Sequence, residues 1–586
     1  MDSAPQSPPP TRRQTAEWII APYAPVELFA AAPDVPPLVA QVLHARGYTT
    51  PESIRQFLAI DAQAGDSLAM QDMPRAVERI GRAIQGGEAI ALYGDYDCDG
   101  VTACALLHEV LGRLGANART YIPNRFEEGY GLNSGALDKL KAEGMSLVIT
   151  VDCGGRAMAE AAHAREIGLD LIVTDHHEPE GGALPGALAV VNPRRADCPY
   201  PFKQLAGVGV AFRLAQALLS SLPPDPTSSE REEFAGSLLD LVALGTIADV
   251  VPLLGENRGL VRDGLARINT HPRLGIAALM RAANVKAGSV NAMSVGFGLA
   301  PRLNAAGRLD TAMNAYDLLT ATEQTWADEL ATALNERNTQ RQAVTAEVAH
   351  AAEQAAFEGQ AEIPALLFAA SEEYNPGVIG LAAARLVERH YRPSVVVAIQ
   401  NGEARGSCRS TEGFHITSAL DECRSLLSKH GGHAAAAGFS TRADLLDDLR
   451  RQLLAIAQRE QPPDGWTRAV RADAEVRLEK LTFQTYDQLR QLEPHGMGNP
   501  KPVFVTRGAG VQSARRVGRA DAGQQPAHLQ LRLRDGRGAT WDAIGWRMGE
   551  REAEAPTGAT IDVAFQLDVN EWNGERRLQL VVQDFR

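Results

Sequence analysis

Long apolar runs are missing from this chain: none approaches the roughly 18 to 20 residues that a membrane-spanning helix needs, so a membrane location is not expected. The opening MDSAPQSPPP holds no apolar stretch of the kind found in an export signal, and the six cysteines, at 98, 104, 153, 198, 408 and 423, show no C-x-x-C spacing. These absences point to a cytoplasmic protein with reduced thiols. Basic charge is short as well. The 58 Lys and Arg face 72 Asp and Glu, for a net charge of −14, which argues against nonspecific coating of nucleic acid but leaves room for a strand held in a local basic groove. Carboxylates committed to metal ions would inflate that formal count.

What is present is ordinary globular composition, 45% hydrophobic and 22% charged, in 586 residues, too many for one core and enough for about three or four domains. Residues 1–15 are rich in Pro, Ser and Gln and read as a disordered leader. Residues 16–73, with LVAQVLHARGY and PESIRQFLAI, read as a small helical segment. From 74 to 310 apolar strand patterns alternate with helical ones, which implies a parallel sheet with right-handed crossovers and ligands beyond the carboxyl ends of its strands. Residues 311–357 are polar, alanine-rich and nearly free of breakers, a long connecting helix on which Leu330 and Leu334 face protein. Strand patterns resume over 358–460, and after the Pro-rich REQPPDGW a third pattern of short strands fills 466–586.

The chain is organised around residues 89–100, AIALYGDYDCDG. A buried strand breaks at Gly94 into Asp95, Asp97 and Asp99, and alternate side chains of extended backbone leave on one face, so these carboxylates can converge. An isolated D-G pair would be a solvated turn; several like charges gathered after a buried strand need a cation. The string also opens an EF-hand pattern, but its twelfth position is Leu106 rather than a bidentate Glu, and a strand precedes it instead of a helix.

Two later strands also end in potential ligands. LVITVD delivers Asp152, followed by Cys153 and two glycines that permit a sharp turn, and LDLIVTDHH delivers Asp175, His176 and His177. Asp249 follows the apolar LLDLVALGTIA, where a helix-terminal turn would equally accept it. One such Asp is more often a helix cap, and one such His a core or surface residue. Capping does not explain the three strand ends together.

GDYDCDG (94–100), VDCG (151–154), TDHH (174–177) and ADVVPL (248–253) resemble the four metal-site motifs of the DHH phosphoesterase superfamily. With NRFEEGYGLN (124–133), GVGVAF (207–212) and APRLNAAGR (300–308), the pattern from about residue 45 to 586 is similar to the branch of that superfamily that digests single-stranded DNA from the 5′ end. The resemblance implies an α/β fold with a parallel-sheet DHH domain, the connecting helix, an α/β DHHA1 domain and a C-terminal β-barrel of the OB type. It implies two divalent cations, Mn²⁺ preferred and Mg²⁺ as the harder substitute, and water as the nucleophile. Asp97 would hold one ion, Asp99, His176 and Asp249 the other, and Asp152 would bridge them. His177 would contact the scissile phosphate, and Asp95 and Asp175 would support catalysis beside it.

In the second lobe, ARGSCRS (404–410) and HGGHAAAAGFS (430–440) resemble the DHHA1 lobe. A G-S-x-R-S loop places a hydroxyl beside a guanidinium, a sensible phosphate grip, although alone it would be a surface turn. By resemblance, Ser407 and Arg409 join Arg125 and Arg302 in recognising a 5′ phosphate, and Asn304, Arg308 and His433 contact the substrate. The glycines and alanines of GGHAAAAGF admit close approach of a helix or of a DNA strand. One departure stands out: the family usually has Trp-His before Pro-Gly-Val-Ile-Gly, where this chain has Tyr374 and Asn375, so a role resting on an imidazole there is in doubt.

The last segment alternates at period two, with a hairpin signal at Asn573-Gly574. Trp541, Trp546 and Trp572 fall here with Arg515, Arg516, Arg519, Arg532, Arg534 and Arg547, while no lysine follows Lys501. Such a set suits single-strand binding by stacking and charge neutralisation; core tryptophans and a solubilising arginine surface fit equally. The resemblance further implies single-stranded DNA as substrate, a monomer, and a single-strand-binding protein and a RecQ-type helicase as partners. Rival readings are a phosphodiesterase for short oligonucleotides or cyclic dinucleotides, and a noncatalytic single-strand-binding scaffold.

Overall fold

The runs AIALYG, LVITV and DLIVT lack a polar face, and as strands Ala89–Gly94, Leu147–Val151 and Asp170–Thr174 they are almost wholly buried inside one parallel sheet. This computed structural model describes residues 16–60, 65–124, 128, 131–222, 227–309, 311–360, 362–518, 527–572 and 574–586. The leader expected at 1–15, and Arg125, Arg519 and Asn573, lie outside them. The chain divides into two compact units, one of residues 24–338 and 487–501, the other of residues 16–23, 339–486 and 502–586.

Two edge strands that the sequence pattern did not disclose complete the sheet of the first unit. Asn117–Tyr121 pairs with Ala89–Gly94, and Ala189–Val191 with Asp170–Thr174. In chain order the strands lie 2-1-3-4-5, so the order reverses between Ala89–Gly94 and Leu147–Val151, where ligands bind in sheets of this kind. Alternate side chains feed two cores. On one face Leu92, Ile149 and Ile172 pack with Leu106, Val208 and Leu244 from helices Cys98–Arg113, Gly207–Ser221 and Leu239–Ala248. On the other, Val148, Leu171 and Val173 meet Leu137 and Ala161 from helices Ser134–Ala142 and Met158–Glu166.

Register places the functional positions. Gly94, Val151, Thr174 and Val191 are successive cross-strand partners. The next residues on these strands, Asp95, Asp152, Asp175 and Asn192, therefore form one row at the carboxyl edge. The ladder continues one step into that row, with Asp95 N donating to Val151 O, Asp152 N to Thr174 O and Asp175 N to Val191 O, at 3.3, 3.1 and 3.1 Å.

Segment 487–501 belongs to the first unit. The Arg258 guanidinium donates to the carbonyls of Gln491 and Glu493, and Leu253 N donates to Met497 O at 2.8 Å. The connecting helix expected over 311–357 is interrupted: Met313–Thr320 forms a short helix, Ala321 is extended, and Gln324–Phe357 runs as one helix of 34 residues. Leu330 and Leu334 are buried, as their apolar spacing predicts.

The second unit holds two larger sheets and a two-stranded one. In the first, Leu367–Ser371 runs parallel to Ser394–Gln400, and Glu403–Arg409, Ala436–Arg442 and Lys429–His433 follow antiparallel. The Gly/Ala-rich 430–440 is thus a β-hairpin, where the sequence reading allowed a site of helix or DNA approach. Gly432 serves the hairpin: its φ is +148°, and a Cβ there would lie 2.4 Å from Ala436 O. The second sheet closes into a barrel of strands Phe504–Val517, His528–Arg534, Thr540–Gly545, Glu575–Phe585 and Thr560–Trp572, the last pairing back to the first. Phe504, Phe565 and Phe585 fill it. Residues 16–73 are helical only from Val26; before that, Glu17–Ile20 pairs in parallel with Ala469–Ala472.

Candidate metal centre

The turn after the first strand is built to present acids. Asp97 caps helix Cys98–Arg113, its Oδ1 accepting from the backbone N–H of Asp99 and Gly100 at 2.9 and 3.2 Å, so it does also take the capping role open to a strand-end Asp. Asp99, within the first turn, is seated on the start of helix Gly207–Ser221: Oδ2 accepts from Gly207 N at 2.6 Å and Oδ1 from Val208 N at 2.8 Å. A helix N-terminus favours an anion, and here the anion is a side chain of the protein. The loop is braced by helix Ala300–Leu309, where Asn304 Oδ1 accepts from Cys98 N at 2.7 Å and Gly307 leaves room for the Tyr96 carbonyl.

Asp152 and Asp249 reach the same place from other elements. Asp152 has φ +63° and Val250, next to Asp249 at the end of helix Leu239–Ala248, has φ +60°. Left-handed backbone costs a non-glycine residue about 1–2 kcal/mol, and both such residues border the acids. His176 Nε2 lies 3.1 Å from Asp152 Oδ1, 3.5 Å from Asp249 Oδ2 and 3.9 Å from Asp99 Oδ2. Ligand-type atoms fall into three overlapping groups, each within 4.8 Å: Asp95, Asp97 and Asp152; Asp99, His176 and Asp249; Asp152, His176 and His177. Asp152 and His176 are shared between groups.

The electrostatics demand a cation. Burial, then the neighbouring charge of Asp97, pushes Asp99 up to about 7; burial with Asp99 and Asp97 pushes Asp249 up to about 8; and burial with Asp99 drives Asp152 well above the carboxylate range. Burial pulls His176 down to about 3, so its imidazole is neutral and able to bind a metal. Asp152 Oδ1 and His176 Nε2 are buried and without a hydrogen bond. Oxygen donors with one imidazole, mutually repelling and left unsatisfied at Asp152 Oδ1 and His176 Nε2, fit hard divalent cations.

Asp175 has a different task. Its Oδ1 accepts from His176 N, His177 N and His177 Nδ1 at 2.7, 3.1 and 2.8 Å, and its Oδ2 from Gly155 N at 2.7 Å. Although burial opposes it, this pairing holds Asp175 down at about 2 and His177 up at about 9. His177 is thereby a fixed, half-exposed cation at the rim.

The remaining predicted substrate residues divide between the two units. In the first unit, Arg302 donates to Asn335 Oδ1 and Gly298 O at 2.9 and 2.6 Å, and Arg308 is half-buried on the same helix. The Asn304 carbonyl is taken by the Asp loop. In the second unit, Arg409 Nη1 lies 3.3 Å from Ser407 Oγ, and Gly380 packs against both. His433 is exposed, in the cross-strand row of Ala436 and Arg409. Asn375 makes a local turn, its Oδ1 accepting from Gly377 N at 2.8 Å. On the barrel, Trp546 is exposed against His528, Trp541 is half-buried on Asp535, and the Trp572 side chain lies outside the described residues. Arg516, Arg532 and Arg547 pair with Glu552, Asp542 and Glu388, so these arginines are partly neutralised. Sequence reasoning missed Asn192, which closes the edge row, and the backbone seat at Gly207; the G-V-G-V opening of a helix was the available signal for the seat.

Family models match in chain order: the DHH family, N-terminal domain over residues 89–246, the DHHA1 domain over 363–459 and the RecJ OB domain over 472–584. The single-stranded-DNA-specific exonuclease RecJ of Bacillus subtilis strain 168 is 40% identical over 94% of this chain and 68% of its own length. The chain belongs to the RecJ family. The Escherichia coli K12 member is 34% identical over 94% of this chain and 96% of its own. The crystal structure of RecJ from Thermus thermophilus in complex with Mn²⁺ matches with a TM-score of 0.80 and 32% identity, covering 97% of this chain and 79% of that one. The DHH, DHHA1 and OB regions of the RecJ family thus correspond to the parallel sheet, the mixed sheet and the barrel. Among the described residues no helix is long and apolar enough to cross a membrane.

Proposed function

We propose that this chain hydrolyses single-stranded DNA from the 5′ end, releasing 5′-mononucleotides in recombination and repair. The observation that carries the reading is the ring of Asp95, Asp97, Asp99, Asp152, His176 and Asp249 at the switch point of the sheet, in a chain of the RecJ family, whose relatives are named single-stranded-DNA-specific exonucleases. Two divalent cations, Mn²⁺ preferred, would be held by Asp97 and Asp152 on one side and by Asp99, His176 and Asp249 on the other, with Asp152 shared. Bound there, they would supply a nucleophilic water at neutral pH and neutralise the phosphate.

The side chains do the rest. A bound cation would favour the ionised form of Asp99, Asp152 and Asp249, and the backbone N–H groups of Gly207 and Val208 hold the Asp99 carboxylate in place. His177, kept protonated and oriented by Asp175, donates toward a phosphate oxygen as its charge grows. Ser407 and Arg409 supply a hydroxyl and a guanidinium suited to a terminal phosphate, and exposed Trp546 a face for a base. A cytoplasmic monomer that meets a single-strand-binding protein and a RecQ-type helicase is consistent with this role.

Digestion of single strands labelled at either end, with and without Mn²⁺, tests the reading. Release of label first from the 5′ end, only with the metal, is expected. Release first from the 3′ end, or equal digestion of duplex, would sink it.

A further inference from the structure

Two successive arginines follow Asn192, and their surroundings are opposite. Arg195 is buried and fully engaged: Nη1 donates to Asp72 Oδ2 and Val190 O at 2.7 and 2.5 Å, and Nε and Nη2 donate to Asp197 at 2.9 and 2.7 Å. Among the described residues the Arg194 guanidinium pairs with Glu178 alone, at 3.6 Å, and that carboxylate is 69% exposed. Its Nε is buried with no hydrogen-bond partner. An unsatisfied buried donor costs about 1–3 kcal/mol. The fold supports this side chain without using it.

Its placement is fixed by the edge row. Arg194 N donates to Asn192 Oδ1 at 2.8 Å, and Asn192 Nδ2 donates to His177 O at 2.9 Å, so one amide ties the arginine turn to the histidine turn. Arg156, also on this edge, is exposed and spends its Nε on the Glu178 carbonyl. A surface ion pair such as that with Glu178 is worth about 0–1 kcal/mol, so an arriving phosphate displaces it at little cost.

We propose that Arg194 is a catalytic residue that contacts the scissile phosphodiester, its guanidinium pairing with the non-bridging oxygens as their charge grows during cleavage. The inference rests on the nuclease reading above. A planar fork of N–H donors matches a phosphate in two bonds, which an ammonium does not. Such a contact strengthens in the transition state and so acts on turnover more than on affinity.

The test uses the full chain with Mn²⁺ and a 5′-phosphorylated single strand. Arg194→Gln is expected to lower kcat by at least about tenfold with KM changed by less than about threefold, Arg194→Lys to recover part of the loss, and added guanidinium ion to raise the rate of Arg194→Ala but not of wild type. Mn²⁺ binding by Arg194→Gln, measured directly, is expected to match wild type. Activity of Arg194→Gln within twofold of wild type, a loss confined to KM, or parallel loss of Mn²⁺ binding would overturn the proposal. An inactive wild type would instead bring down the nuclease reading and this inference with it.

Discussion

Asp152 occupies the space in which a side chain at position 207 would begin: a Cβ on Gly207 would lie 2.6 Å from both the Cβ and the Oδ1 of Asp152. The seat that holds Asp99 is therefore also the wall against which the shared carboxylate rests. Gly207→Ala is expected to weaken Mn²⁺ binding by about tenfold or more, as displaced support of a metal ligand does, with cleavage falling in step. Titration calorimetry checks it, and unaltered affinity would show that Asp152 has room to move.

Asp175 should separate orientation from metal binding. In Asp175→Asn the carboxamide presents an NH₂ to a site lined by donors, and His177 loses the partner that keeps it charged. Cleavage is expected to fall by about a hundredfold while Mn²⁺ binding changes little. Equal loss of both would mean that Asp175 holds the ring together.

Gly380 gives access to the second unit. A Cβ there would come within 2.9 Å of Ser407 Oγ and 3.2 Å of Arg409 Nη2. Gly380→Ala is expected to erase most of the preference for a 5′-phosphorylated over a 5′-hydroxyl strand, read as the ratio of kcat/KM for the two. An unchanged ratio would free this pair from end recognition.

His495 makes a pH prediction away from the metal ring. Burial, followed by the charges of Arg46 and Lys501, pulls its imidazole down to about 3. A histidine lowered on folding is neutral in the native state and protonates on unfolding, so stability is lost as pH falls below about 6.5 and the loss saturates near 3. Between pH 7 and pH 5 this amounts to about 2 kcal/mol. Denaturant titrations of His495→Gln at both pH values should show a shallower dependence than wild type; identical slopes would remove His495 as the cause.

The centre of the molecule was legible because its chemistry is local in sequence. Apolar runs ending in Asp152 and in Asp175-His176-His177 announce both the sheet and its candidate site residues, and register then turns these strand ends into a row. Less local features stayed hidden. Asn117–Tyr121 alternates between exposed and half-buried positions, and Ala189–Val191 is three residues long, so neither carries a strong strand signal. The 430–440 hairpin looked like a small-residue contact surface because Gly432 and its alanines clear space for their own backbone. Asn304 also braces the Asp loop, its carbonyl taken by Cys98 N in a contact spanning 206 positions that no spacing rule reveals. Arg516 and Arg532 counted as free charge in the sequence, and only folding pairs them with acids.

The strand Glu17–Ile20 pairs with Ala469–Ala472, and the Trp18 indole donates to Asp584 at 2.7 Å. The segment Glu17–Ile20 must wait for about 450 more residues before its neighbour exists, roughly 20 to 90 s at ordinary elongation rates. A change at Trp18 or at Asp584 thus acts on the same joint from opposite ends of the sequence, and a nascent chain carries an unsatisfied β-edge through all of that interval.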